Sequence, residues 1–213
     1  MRPLPVLAAV AALCLCSCSS RGMRENVFLF FEPSVYTPVL PGKALKAYPF
    51  KVQVKRFKID PLYDNQKVVT RHTDFSVTFA RHGEWALRPQ TAASDLLVEY
   101  LKANFSIKAM REGATEELPD LIISGEMRAV EEDLRGEERA ATLALTIKMT
   151  RARNDEVLFE ETLRKSRPCE EYGYAALARE FSLCLSDIYR DFVVRLEPIL
   201  SRLADQAREE TKG

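Results

Sequence analysis

The chain has 213 residues, with 31 basic and 31 acidic side chains and no net charge. Nucleic-acid binding depends on clustered positive charge, so this balance argues against a nucleic-acid partner. The length suits one domain with a sizeable core and short extensions.

Residues 1–17 have the features of an export signal. Arg2 precedes an apolar run from Leu4 to Leu15, and small residues follow. A helix that spans a bilayer needs about 20 apolar residues, and this run is about a dozen long, so a signal is predicted and a membrane span is not.

Cys18 is the candidate for lipid attachment among the three cysteines that close this segment. It follows Leu15, Cys16 and Ser17, which are apolar, neutral and small in that order. The pattern resembles the lipobox of bacterial lipoproteins, which implies that Cys18 becomes the acylated first residue of the mature chain. The alternative is an ordinary secretory signal that is cleaved elsewhere.

The two residues after Cys18 indicate a destination by the same analogy. In Gram-negative lipoproteins of this type an aspartate at the second position retains the protein in the inner membrane, and here Ser19 and Ser20 follow. The resemblance therefore implies anchoring at the periplasmic face of the outer membrane.

Residues 18–48 are predicted to form a lipid-anchored tether, and residues 49–213 the folded domain. The tether is polar and interrupted by prolines, apart from the apolar run at residues 27–31, which is expected to dock on the domain. Strands are predicted around Val52 and Val54, at Val68 and Val69, and at residues 75–79, because apolar and polar residues alternate there.

A helix is predicted after Pro89, from apolar residues at helical spacing. Three alternating segments follow, around residues 121–129, 141–149 and 157–163, and their polar links favour hairpins. A long helix then begins near residue 174, and Pro198 is expected to kink or end it. This order predicts an α+β fold, a largely antiparallel sheet with both helices on one face.

Cys169 and Cys184 remain beyond the anchor. The periplasm permits disulfides, so pairing is one alternative and two free thiols the other. Cys184 lies about ten residues inside the predicted helix, about 15 Å along it, so a bridge requires the preceding loop to fold back along that helix.

The stretch from Phe50 to Leu101 carries a family resemblance. A strand ending "FKIDPLYDNQ", then "VVTR", the aromatic strand "FSVTF", and Trp85 with "ALRP" before a leucine-rich helix resemble the ABC-type transport auxiliary lipoproteins. This group contains the outer-membrane lipoprotein of the paraquat-inducible transport system.

The resemblance implies a non-catalytic subunit without a cofactor. Its implied partners are an MCE-domain periplasmic protein and an inner-membrane ABC permease and ATPase, which move phospholipid or another hydrophobic substrate. It leaves open whether several copies of the chain assemble. The alternative is a lipoprotein that regulates envelope assembly or a peptidoglycan enzyme.

Three residues are candidates for partner contact: Arg71, Trp85 and Leu134. The alternative for Arg71 and Trp85 is structural, with the indole packed under the first helix and Arg71 paired at the sheet edge. Leu134 interrupts the acidic stretch from Glu131 to Glu138, which is expected to be a solvated hairpin tip or, with Leu134 exposed, a docking loop.

Catalytic and metal sites are not predicted. His72, Asp74 and Ser76 share one face of an alternating strand, but such neighbours lie about 7 Å apart, too far for the direct hydrogen bonds of a catalytic triad. No histidine or cysteine pair has the spacing of metal ligands.

Overall fold

A β-sheet with two helices on one face makes up the part of the chain that this computed structural model describes, residues 26–32, 45–114 and 116–210. The strands are β1 (Val27–Leu29), β2 (Lys46–Val54), β3 (Lys58–Ile59), β4 (Lys67–Thr73), β5 (Ser76–Trp85), β6 (Phe105–Arg111), β7 (Leu121–Asp133), β8 (Ala140–Arg151) and β9 (Val157–Pro168). The helices are α1 (Pro89–Asn104) and α2 (Tyr174–Glu210). The predicted α+β class is confirmed, while Cys18 and the signal segment lie outside the described residues.

β7 is the strand on which the sheet is built. Along one edge it pairs in parallel with β2 at residues 121–123, then β3 at 126–127, then β4 at 131–133. Along its other edge it pairs antiparallel with β8 from end to end. The sheet is extended by β9 beyond β8, by β6 beyond β2, and by β5 and then β1 beyond β4.

The longest strand pairs are antiparallel, as the sequence predicts, and shorter parallel pairs, which it does not predict, join the other strands. The hairpins β4–β5, β7–β8 and β8–β9 are antiparallel, as their short links indicate. The other strand pairs among the described residues are parallel. Parallel pairing needs a crossover connection, and α1 supplies one before β6. Alternating apolar residues indicate which face a strand buries but not the direction of its neighbour. The alternation could therefore not show which strand pairs are parallel.

Two strands, β1 and β6, lie where none is predicted, and β3 is a short separate strand after the predicted one around Val52 and Val54. β1 lies within residues 18–48, the predicted tether, and β2 also begins there, at Lys46. Leu29 and Phe31 are buried, which confirms that this apolar segment docks on the domain. β6 begins at Phe105, directly after α1. In the sequence, Phe105 continues the apolar spacing of the predicted helix, so the change from helix to strand at this residue was not predicted.

α2 continues past Pro198, so of the two predicted effects of this proline, a kink or an end of the helix, the end is not found. The proline removes the backbone hydrogen bond to the carbonyl of Val194, a residue whose side chain is exposed. Leu200 and Leu203 are buried in the core beyond the proline. Their packing stabilises the last turns despite the missing bond.

Trp85 belongs to an aromatic cluster that joins β1 and β5 to α2. Its ring centroid lies 5.3 Å from that of Phe31 and 5.4 Å from that of Phe181. The side chain is buried. These contacts place the indole beside α2. Of the two roles predicted for Trp85, the structural one is found, but the indole packs on the second helix and not on the first.

The two helices also contact each other over the sheet. The Tyr100 ring in α1 lies 5.6 Å from the Tyr189 ring in α2, and the Tyr189 hydroxyl donates a hydrogen bond of 2.5 Å to the carbonyl of Ala93. Burial raises the pKa of Tyr100 to about 12. Among the described residues, neither helix is long and apolar enough to cross a membrane.

Cys169 and Cys184 are free thiols, so the unpaired alternative is the one found. Cys184 lies in α2 and donates a hydrogen bond to the carbonyl of Ala141 at 3.5 Å. Burial raises the pKa of Cys184 to about 12 and also raises that of the half-buried Cys169. Both side chains are therefore neutral near pH 7.

Replacement of Phe181 by alanine tests the aromatic cluster. The substitution leaves a cavity between Trp85 and α2, and we expect the free energy of unfolding to fall by about 3–5 kcal/mol. The matched control is Val194→Ala, at an exposed position of the same helix, where the expected change is below about 1 kcal/mol. Denaturant unfolding followed by circular dichroism measures both. Equal losses in the two variants would contradict a core role for the cluster.

Candidate functional site

The carboxyl end of β7 carries three acidic residues, and each is paired with an arginine. Glu131 pairs with Arg71, Glu132 with Arg139, and Asp133 with Arg135. The sequence predicts a solvated tip from Glu131 to Glu138, which is wrong for these three positions because they belong to the strand. Only the connection after Asp133 forms the turn between β7 and β8.

A bulge in β7 determines which face of the sheet Glu131 occupies. Met127 pairs with Leu145 and Ala129 with Ala144, so β7 has one residue more than β8 at this point. Beyond the bulge, Val130 pairs with Leu143 in the core. Because alternate residues point to opposite faces, Glu131 points away from the helices.

Glu131 is the centre of a buried hydrogen-bond network. Its side chain is 2% exposed, and its Oε2 accepts hydrogen bonds from Arg71 Nε at 2.7 Å and from the Tyr63 hydroxyl at 2.5 Å. Arg71 Nη2 also donates to the Tyr63 hydroxyl, at 3.1 Å. Arg164 approaches the other carboxylate oxygen at 3.9 Å. A buried carboxylate is costly unless it is paired, and here the pairing is provided from three separate elements.

The network shifts the pKa of two of its members. Burial, followed by the hydrogen bond to Glu131, raises the pKa of Tyr63 to about 12. The hydrogen bond to Tyr63, followed by the contact with Glu131, raises the pKa of Arg71. Arg71 therefore stays charged and Tyr63 stays neutral through the physiological range of pH.

Arg135 braces the β7–β8 connection against the β4–β5 hairpin. It makes two contacts with Asp133, at 2.9 and 2.6 Å, and a third with Asp74 in the hairpin turn, at 2.7 Å. The hydrogen bond with Arg135 lowers the pKa of Asp133. The backbone N–H of Leu134 donates to the carbonyl of Arg71 at 2.8 Å. Side-chain and backbone bonds therefore hold the two turns together.

The braced turns present two apolar side chains to solvent. Phe75, between β4 and β5, is 99% exposed, and Leu134, after β7, is 38% exposed. The backbone N–H of Phe75 donates to Thr73 Oγ1 at 3.2 Å, and that hydroxyl also bonds Ser76 at 2.8 Å. The turn is thus ordered while its phenyl ring has no cover. We call Phe75 and Leu134, with their turns, the hairpin tip.

The structure brings two of the predicted contact residues together and separates the third. The backbone carbonyl of Arg71 accepts a hydrogen bond from the N–H of Leu134, and the Arg71 guanidinium belongs to the Glu131 network. Trp85 lies at the far end of β5, buried against Phe31 and Phe181. Phe75 is a further contact candidate, which the sequence places in the predicted strand at residues 75–79 and the structure places in the exposed turn before β5. Its place between Asp74 and Ser76, both turn-forming types, was the available signal.

His72, Asp74 and Ser76 do not form a triad. His72 Nε2 lies 2.8 Å from Thr78 Oγ1, Asp74 bonds Arg135, and Ser76 Oγ bonds Thr73. Each of the three has a different partner. Within the described residues, no group of three or more histidine, cysteine and acidic side chains is arranged to hold a metal ion.

Sequence comparison identifies the family. A model described as the ABC-type transport auxiliary lipoprotein component matches residues 36–193. This chain belongs to that family. The match includes the whole hairpin tip and the Glu131 network. A comparison with curated protein sequences finds no match.

Two solved structures have the same fold at low sequence identity. The crystal structure of protein XCC0632 from Xanthomonas campestris is 19% identical, with a TM-score of 0.68 over 84% of this chain and 98% of that one. A crystal structure of an uncharacterized protein is 11% identical, with a TM-score of 0.59 over 72% of this chain and 99% of that one. At these identities the similarity shows that the three proteins share a fold.

Removal of Arg71 tests the buried network. Arg71→Ala leaves the Glu131 carboxylate buried without its closest charged partner, and we expect a loss of about 3–5 kcal/mol in the free energy of unfolding. The control is Arg128→Ala, which removes an exposed pair with Glu126 on the same strand and is expected to cost less than about 1 kcal/mol. Denaturant unfolding measures both. A loss of the exposed-pair size at Arg71 would contradict the network.

Titration of the tyrosines tests the environment of Tyr63. Because its pKa is raised to about 12 in the fold, the stability that this contributes is present below about pH 10 and is lost as the pH rises toward 12. Phenolate absorbance of the folded protein should show late-titrating tyrosines, with one fewer in Tyr63→Phe. The exposed position Tyr172, changed to phenylalanine, controls for the loss of a phenol. An unchanged late fraction in Tyr63→Phe would refute this assignment.

Proposed function

We propose that this chain is a lipid-anchored, non-catalytic subunit of an MCE-type ABC transport system, held at the periplasmic face of the outer membrane. Family membership supplies the coarser part of this statement, an auxiliary lipoprotein component of ABC transport. The finer part depends on the lipobox and on the hairpin tip. The transported substrate in this proposal is phospholipid or another hydrophobic molecule.

The lipid anchor is assigned to Cys18. The lipobox pattern supports acylation at this residue, and Ser19 and Ser20 support transfer to the outer membrane by analogy with other lipoproteins. Several acyl chains on one residue make an anchor that is effectively permanent, because each buried methylene contributes about 0.8 kcal/mol. The domain then remains at one membrane surface, where even modest affinity for a partner suffices.

The observation that carries the docking proposal is the exposure of Phe75. Exposed aromatic side chains held in an ordered turn are the usual anchors of protein interfaces. Leu134 lies in the adjoining turn, which Arg135 joins to Asp74, and the arginine and aspartate pairs provide a polar rim. We assign this tip to the periplasmic MCE-domain partner.

A binding role fits the polar groups of the hairpin better than catalysis does. His72, Asp74 and Ser76, the residue types that a hydrolase would use, have separate hydrogen-bond partners and serve to order the hairpin. The two free thiols are neutral, which makes them poor nucleophiles.

Crosslinking at the tip tests the docking proposal. A photoreactive phenylalanine analogue at position 75 is expected to crosslink to the MCE-domain protein of the same cells. The matched control places the analogue at Leu118, an exposed apolar residue in the β6–β7 connection. Phe75→Ser should reduce co-purification of the MCE-domain protein by roughly tenfold or more, as expected for an aromatic hot spot.

Two outcomes have distinct meanings. Equal crosslinking from positions 75 and 118 would refute the tip as the docking surface. Crosslinks from position 75 to a peptidoglycan synthase or a secretin, without the MCE-domain protein, would favour the envelope-assembly alternative.

A separate experiment tests the lipid anchor. Cys18→Ala should abolish acylation detected by mass spectrometry, whereas Cys16→Ala should leave it intact, and the reverse result would contradict the assignment.

A further inference from the structure

β1 and the residue after it expose two aromatic side chains, at the opposite end of the β4–β5 hairpin from the tip. Phe28 is 59% exposed and Phe30 is 54% exposed. β1 pairs only with β5 among the described strands, so it forms an edge of the sheet there. Neither phenyl ring is used by the core, and neither belongs to the hairpin tip.

The register of β1 explains why these rings are uncovered. Leu29 pairs with Trp85, and Leu29 and Phe31 are buried with it on the helix side of the sheet. Phe28 pairs with Glu84 and therefore points to the opposite face, as does Phe30 two residues later. On this face lies a shallow groove, lined by Pro61, Leu62 and Phe79 and by the polar residues Asn65, Gln66, Lys67 and Glu84. Phe28 neighbours the groove at Glu84, so the two phenyl rings add apolar surface next to it.

The position of Cys18 limits what can cover this surface. β1 begins at Val27, nine residues after Cys18. Nine residues of fully extended chain reach at most about 30 Å, so an acylated Cys18 keeps β1 within that distance of the membrane surface. The tether does not hold the hairpin tip so closely, because Phe75 and the residues that pair with β1 lie at opposite ends of β5, roughly 30 Å apart.

We infer that Phe28 and Phe30 insert into the interfacial region of the phospholipid leaflet that holds the acyl chains. This inference rests on the proposed lipid anchor and adds a second, non-covalent membrane contact that fixes the orientation of the domain. Apolar aromatic residues partition favourably into the boundary between headgroups and acyl chains. The anchor makes their contact with lipid effectively intramolecular, so two rings suffice to hold one edge of the sheet against the bilayer.

Quenching by brominated lipid tests this contact. Trp85 is the sole tryptophan of the chain and is buried, so it serves as an internal reference. The acylated full-length mature protein, carrying Phe30→Trp, is reconstituted in vesicles of phosphatidylcholine brominated in its acyl chains. We expect loss of the emission that residue 30 adds. Phe75→Trp is the matched control, and its added emission should remain.

Flotation of the vesicles separates failure of the anchor from failure of this inference. If the protein does not float with the vesicles, the lipid anchor and the inference both fall. If it floats and the emission from position 30 is not quenched, the anchor stands and the inference is overturned. Blue-shifted emission at position 30 that persists unquenched would instead indicate that a second copy covers the surface, which also overturns it.

A double substitution provides a second, independent readout. Phe28→Gln combined with Phe30→Gln changes only exposed side chains, so buried Trp85 should keep its emission. Attached to vesicles, this variant should be cleaved faster than the wild type by protease added outside, between Cys18 and Val27, because the edge of the domain no longer rests on the bilayer. Unchanged cleavage rates would contradict membrane contact by these rings.

Discussion

The pairing of β7 along both of its edges is the constraint on which the rest of the fold depends. One edge accepts three successive strands, β2, β3 and β4, and the other edge accepts β8 over its full length. Every remaining strand reaches the sheet through one of these neighbours. The two helices then cover one face of the assembled sheet, with Trp85, Phe181 and Tyr189 in the layer between. The core and the candidate site therefore share one strand.

The same strand links buried charge to an exposed surface. β7 ends with Glu131, Glu132 and Asp133. The arginine that pairs with Glu131 comes from β4, and the arginines that pair with the other two come from the β7–β8 connection. The cost of burying Glu131 is offset by the geometry that holds Arg71 and Tyr63 in place. The backbone carbonyl of Arg71 also accepts the N–H of Leu134, and Arg135 joins Asp133 to Asp74 beside Phe75. The buried network and the exposed tip are therefore connected through Arg71 and the end of β7.

Much of the fold could be predicted from alternation and spacing, because side chains that face the core repeat with the period of their element. The α+β class, both helices, the hairpins after β7 and β8, and the docking of residues 27–31 were accessible in this way. Strand direction was not, since Val52 and Leu121 show the same alternation whether their strands run parallel or antiparallel. The network around Glu131 was also out of reach, because an acidic run is usually solvated and its partners lie 60 and more residues away. Arg71 and Leu134 were identified individually, but only the fold shows that they are neighbours.

The bulge at Met127 and Ala129 decides what kind of residue the last part of β7 may carry. Upstream of it, odd-numbered positions such as Ile123 and Met127 fill the core, whereas downstream the even-numbered Val130 does so and the odd-numbered Glu131 faces away. If β7 continued in strict alternation without the bulge, Glu131 would share the face of Ile123 and Met127, and its carboxylate would point inward toward the helices. One additional residue in β7 therefore keeps the apolar core and the ionic network of Glu131 on opposite faces of the sheet.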